Sequence, residues 1–139
     1  MLESNHANIG SHGIDGIHIE SLSVNWTSSE DSILDNGGDG IDVNGDLDLT
    51  SSGNVIASNI GNGLYVSQSL DWQSDFDVFS HNENNGIAVG STLTLDADSL
   101  EVVGNFSNGI VAEGFSSDVR LYQCQLHQNA LGDGIRLSG

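Results

Sequence analysis

The sequence predicts an all-β solenoid of short parallel strands, and three observations carry that prediction. An Asp/Asn-Gly-Ile/Leu element occurs six times, with glycines at 16, 40, 63, 86, 109 and 134 and intervals of 24, 23, 23, 23 and 25 residues. So narrow a period marks a repeat architecture. Each element opens a stretch in which apolar residues alternate with variable ones, as they do on a strand with one buried face. Asparagines then return on the same clock, at 36, 59, 82, 105 and 129.

The elements follow in order around each coil. The first strand carries the inward pairs Ile17/Ile19, Ile41/Val43, Leu64/Val66, Ile87/Val89, Ile110/Ala112 and Ile135/Leu137, with His18, Asp42, Tyr65, Ala88, Val111 and Arg136 between them. A second alternation reads Leu22/Val24, Leu47/Leu49, Leu70/Trp72 and Leu93/Leu95, and is lost near Phe115. A third apolar column, Ile33, Ile56, Phe79, Val102 and Leu126, stands three residues before each asparagine. Nothing has helical period. The expectation is one domain over residues 1–139, with about six coils starting near 15, 39, 62, 85, 108 and 133 and three short parallel sheets. β-Branched and Leu side chains suit such buried pleated walls.

The corner residues have physical reasons. An amide has two donors and an acceptor, so Asn36, Asn59, Asn82, Asn105 and Asn129 are expected to bond to one another as a ladder. Asn also tolerates the left-handed backbone of a tight corner. Gly16, Gly40, Gly63, Gly86, Gly109 and Gly134 are expected to serve the next corner with positive φ.

"DVRLYQCQLHQNALGDGIRL", residues 118–137, resembles coils of the right-handed parallel β-helix proteins, the pectate-lyase-like superfamily. "DGIDVNGDLDLTSSGNVIASNIG", residues 39–61, looks more like the passenger domains of haemagglutinin-type adhesins. The resemblance implies a right-handed parallel β-helix, in keeping with the general crossover preference. It supplies no function, because the fold hosts lyases, hydrolases, tailspikes, adhesins and filaments. Hydrolases of this fold carry an Asp-Gly-Ile-Asp strand, which Asp39-Gly40-Ile41-Asp42 resembles. Their adjacent aspartate pair and their lysine are missing, and Gly10-Ser11-His12-Gly13 matches their Gly-His-Gly stretch poorly. The lyases' basic proton acceptor would have to be Arg120 or Arg136, so no catalytic residue is assigned. "GGDGIDVNG", from Gly37 to Gly45, also resembles a calcium-binding nonapeptide, but Asn44 stands where an apolar residue belongs and no tandem copy follows.

At a net charge of −18, the chain repels nucleic acid and anionic membrane surfaces. No apolar run reaches the roughly 20 residues of a membrane span. Asp31, Asp35, Asp42, Asp46, Asp48, Asp71, Asp75, Asp77, Asp96 and Asp98 are expected to face outward, as a solvated surface that keeps an edge-rich protein soluble. No cofactor is expected; corner carboxylates would take up Ca²⁺ only where several converge. Tyr65, Trp26, Trp72 and Phe76 are the candidates for a glycan platform, with Trp72 expected in the core beside Leu49 and Leu95. His6, His12, His18, His81 and His127 have no zinc-ligand spacing and read as surface residues. Cys124 reads as a small buried hydrophobe.

No cap is evident, and the residues before Asp15 and from Asp133 onward together make nearly one coil. An uncapped stack exposes strand edges, with Ile17 and Ile19 near one end and Ile135 and Leu137 near the other. The expectation is an extracellular or cell-surface structural or adhesive protein that self-associates through these ends. The alternative is a segment of a larger secreted polysaccharide-binding or polysaccharide-degrading β-helix.

Overall fold

The structure, a computed structural model, describes residues 1–114 and 116–139. The described residues contain strands, turns and bends and no helix. Each strand pairs in parallel with its counterpart one coil away, so the chain is a parallel β-solenoid of about six turns.

Three faces surround the core. The first is built from the starts of Ile17–Ser29 and Ile41–Ser52, then Leu64–Val66, Ile87–Val89, Ile110–Ala112 and Ile135–Leu137. The second stacks Leu2–Asn5 on the later parts of those two long strands, then Leu70–Asp75, Leu93–Asp98 and Asp118–Tyr122. The third holds Asn8–Gly10, Ser32–Leu34, Val55–Ala57, Val78–Ser80, Glu101–Val103 and Gln125–His127. In the coils that open at Ile17 and Ile41 the strand runs unbroken round the corner between the first two faces. Three faces therefore make two hydrogen-bonded sheets, one of ten strands and one of six, where the repeat pattern alone suggests three.

Register stacks like on like. Ile41, Leu64, Ile87 and Ile110 are neighbours on the first face, and Ile33, Ile56, Phe79 and Val102 on the third. Nearly all of these are fully buried. Each such side chain contributes about 1.5–3 kcal/mol relative to an exposed one. Trp72 lies between Leu49 and Leu95 and meets Phe79 edge to face, with ring centroids 5.5 Å apart.

The second face corrects one reading. Val24 pairs with Leu47 and Trp26 with Leu49, so the inward pair of that coil is Val24/Trp26 and Leu22 is 94% exposed. The register shifts between Glu20 and Ser23, where Ser21 and Leu22 stand against the single residue Gly45. The extra residue of the 24-residue interval is spent in this bulge. A Cβ on Gly45 would lie 1.7 Å from the Ser21 carbonyl oxygen, so only glycine fits there. The loss of alternation expected near Phe115 falls outside the described residues. Beyond it, Val119 aligns with Leu95 and Leu121 with Ala97.

Candidate functional sites in the corners and at the coil ends

The asparagines of the ladder close the corner that follows the third face. Asn36 Nδ2 donates to Asn59 Oδ1 at 2.9 Å, Asn59 to Asn82 at 2.9 Å, Asn82 to Asn105 at 3.0 Å and Asn105 to Asn129 at 3.1 Å. Each Oδ1 also accepts the backbone N–H of the asparagine before it in the ladder. The left-handed residue of this corner is not the asparagine. It is the residue before it: Asp35, Ser58, His81, Gly104 or Gln128, with φ of 55–66°.

A second ladder occupies the Asp/Asn of the Asp/Asn-Gly element. Asn62 Nδ2 donates to Asp39 Oδ1 at 3.0 Å, Asn85 to Asn62 at 2.9 Å and Asn108 to Asn85 at 2.9 Å. Donation here runs toward the N-terminal coil, opposite to the first ladder. Burial raises the Asp39 carboxyl above its ordinary range, against the hydrogen bonds from Asn62.

The regular recurrence of Gly16, Gly40, Gly63, Gly86, Gly109 and Gly134 has a cause other than the expected positive φ. The positive-φ glycines are Gly45, Gly53 and Gly104. What the column requires is close approach. A Cβ on Gly63 would stand 2.6 Å from the Gly86 carbonyl oxygen, 2.8 Å from Phe79 and 2.9 Å from Asn82 Nδ2. Gly134 is the least crowded of the column, its nearest neighbour, the Leu126 carbonyl oxygen, being 3.3 Å away.

The corner between the second and third faces overturns another reading. Asp31 and Asp77, expected to face outward, are buried with Asn54 between them. Each carboxylate accepts hydroxyl hydrogens from two serines: Ser4 and Ser28 for Asp31 at 2.5 and 2.8 Å, Ser51 and Ser74 for Asp77 at 2.5 and 2.7 Å. A buried indole N–H closes each cluster, Trp26 onto Ser4 and Trp72 onto Ser51. Backbone N–H groups of Ala7 and Asn54 supply the remaining donors. Desolvation pushes the Asp77 carboxyl up, and the Ser51 and Ser74 hydrogen bonds oppose it. The sequence carries a signal for this: Trp-x-Ser-x-x-Asp occurs at 26–31 and again at 72–77. Trp26 and Trp72 are therefore core residues; Phe76 and Tyr65 are the ones that reach solvent.

The ends leave edges. Leu2–Asn5 and Asn8–Gly10 each have one strand partner, as do Asp118–Tyr122, Gln125–His127 and Ile135–Leu137. Ile17, Ile19 and Ile135 are half-buried and Leu137 is 46% exposed, whereas their column mates Val43, Leu64 and Ile110 are sealed. Val119, Leu121 and Leu126 add a partly buried apolar rim at the C-terminal side.

One histidine has company. On the outer side of the first face, His18 Nδ1 lies 2.7 Å from Asp42 Oδ2 and 3.7 Å from Asp15 Oδ2, and its Nε2 lies 3.5 Å from Glu20. The hydrogen bond that the ring donates to Asp42, then that to Glu20, raises the imidazole above its usual range. Spacing along the chain does not show this group, because Asp42 reaches His18 only through the stacking of coils. Elsewhere His6 pairs with Glu30 and His127 with Gln125. Arg120 pairs with Asp118 at 3.1 Å, and Arg136 is exposed in the column of His18 four coils beyond Asp42. Cys124 is half-buried, its thiol against the Tyr122 and Ala97 carbonyls. Among the described residues no helix is long and apolar enough to cross a membrane.

Strands, ladders and coil period define a class, the parallel β-solenoids. Over residues 6–139 the chain matches the family described as right handed beta helix region, and it belongs to that family. Neither a curated protein nor a solved structure is matched.

Proposed function

We propose that this chain is an extracellular or cell-surface structural or adhesive module that associates through its coil ends, with a filament subunit as the extended form. The observation that supports it is the match between the two ends. Each offers strand stretches paired on one side only on three faces, and the apolar columns that emerge at one end, Ile135 and Leu137, are the continuation of those at the other, Ile17 and Ile19. A second copy would extend every sheet at the strand spacing of about 4.8 Å. Such an interface is heterologous and propagates instead of closing. The charge of −18 would keep the assemblies from bundling sideways.

The test is association of the native protein by light scattering and electron microscopy. Concentration-dependent linear assemblies are expected. Leu137→Lys, which places a charge on the exposed end column, should arrest growth while leaving the β-sheet circular dichroism intact. A native protein that stays monomeric at high concentration would sink the filament reading. A native mass well above that of this chain would favour a segment of a larger polysaccharide-binding or polysaccharide-degrading protein.

A further inference from the structure

We propose that Asp15, His18 and Asp42 bind one divalent first-row transition-metal ion, of which Zn²⁺ is the type. The ligands are already gathered: one imidazole nitrogen of His18 and one carboxylate oxygen each of Asp15 and Asp42 lie within 4.8 Å of one another. Tetrahedral ligands at about 2.0–2.1 Å from zinc stand roughly 3.3 Å apart. The two nitrogen–oxygen separations, 2.7 and 3.7 Å, bracket that spacing. An ion would take the place of the hydrogen bond between His18 Nδ1 and Asp42 Oδ2.

Each ligand is oriented by something other than the metal. Asp15 is fixed by its other oxygen, Oδ1, which accepts the Asp39 backbone N–H at 2.8 Å. Asp42 projects from a central strand, with a side chain only 15% exposed. Its Oδ1 is fully buried and has no hydrogen-bond partner. A buried carboxylate oxygen without a donor is costly, and a cation at Asp42 offsets that cost. His18 ligating through Nδ1 leaves Nε2–H facing Glu20, the carboxylate–imidazole–metal arrangement that fixes the tautomer of metal-bound histidines. Glu20 is thus a positioning residue.

Among the described residues no arginine pairs with this group. Asp15, Asp42 and Glu20 surround one imidazole, and the nearest arginine along this face, Arg136, lies four coils from Asp42. At about 4.8 Å per coil that is beyond an ordinary screening length. The nitrogen ligand is what points to a transition metal instead of Ca²⁺, which favours all-oxygen sites. Half-exposed His18 leaves a coordination position open to water or to a ligand from another molecule.

The experiment is calorimetric titration of Zn²⁺ into the full chain after chelator treatment. One equivalent is expected to bind. His18→Gln and Asp42→Asn should each weaken binding at least tenfold, and Glu20→Gln severalfold; Asp96→Asn, on the second face, should leave it unchanged. On the unsubstituted protein, Zn²⁺ should move the NMR resonance of His18 Nδ1 to that of a metal-bound nitrogen and leave Nε2 as the protonated one, a readout that needs no variant to fold. No saturable Zn²⁺ binding, binding unchanged in His18→Gln, or equally tight Ca²⁺ binding would each overturn the assignment.

Discussion

The two corners that flank the third face meet the same need with different chemistry. Both must satisfy buried backbone N–H groups where the chain turns, and both do so with a side-chain oxygen from the next coil. At Asn59 and Asn82 the side chain also donates, so identical residues bond to one another without limit. At Asp31 and Asp77 it cannot donate. The carboxylate needs two serine hydroxyls around it, one of them anchored by an indole, and it recurs in alternate coils with Asn54 between. An amide column is self-complementary and a carboxylate column is not, so only the first can run uninterrupted.

Swapping the two chemistries gives the largest expected effect. Asn82→Asp places a carboxylate against Asn105 Oδ1, an acceptor, and removes the donor from a buried chain. A loss of about 3–5 kcal/mol is expected in denaturant unfolding at pH 7, the cost of an uncompensated buried charge. A loss below about 1 kcal/mol would mean that the ladder does not stabilise the fold.

The next effect is steric. Gly63→Ala should destabilise by about 1–3 kcal/mol through overpacking against Gly86, Phe79 and Asn82. Gly134→Ala, where the nearest atom is 3.3 Å away, should stay within about 0.5 kcal/mol of the parent. Equal melting shifts for the two variants would show that the glycines serve backbone conformation and not close approach.

The smallest effect is the reverse swap. Asp77→Asn keeps the oxygen that accepts the Asn54 N–H, as Asn54 itself does for Asp31, and should cost no more than about 1 kcal/mol at pH 7. Its mark lies in the pH dependence. Because burial raises the folded-state pKa of Asp77, the folded protein holds that proton to higher pH than the unfolded chain does. Stability therefore falls as pH rises from the ordinary aspartate value, about 3.9, through the raised one. Asp77→Asn should flatten that fall; an unchanged pH profile would show that the carboxylate is not strained by its burial.

The solenoid, its period and the Asn column are legible in the sequence because a parallel stack repeats its inward residues at constant spacing. What escapes is chemistry made between coils. The asparagine spacing stands out since like bonds to like, whereas Asp31 and Asp77 look like surface acids until Ser4 and Ser51 are brought over them. The shift of Val24 and Trp26 is hidden because Leu22 supplies a false alternation one step early. The His18 group is hidden because Asp42 is distant in sequence and adjacent only in register.

The two amide ladders run in opposite senses along the stack. Donors of the Asn36 ladder point to later coils, and those of the Asn108 ladder to earlier ones. Amide dipoles aligned in one direction accumulate partial charge at the tips of a rod, as they do in an α-helix. Here one row offsets the other. Adding a coil lengthens both rows together and leaves their summed moment close to zero, so a long β-helix of this kind need not become electrically polar from tip to tip.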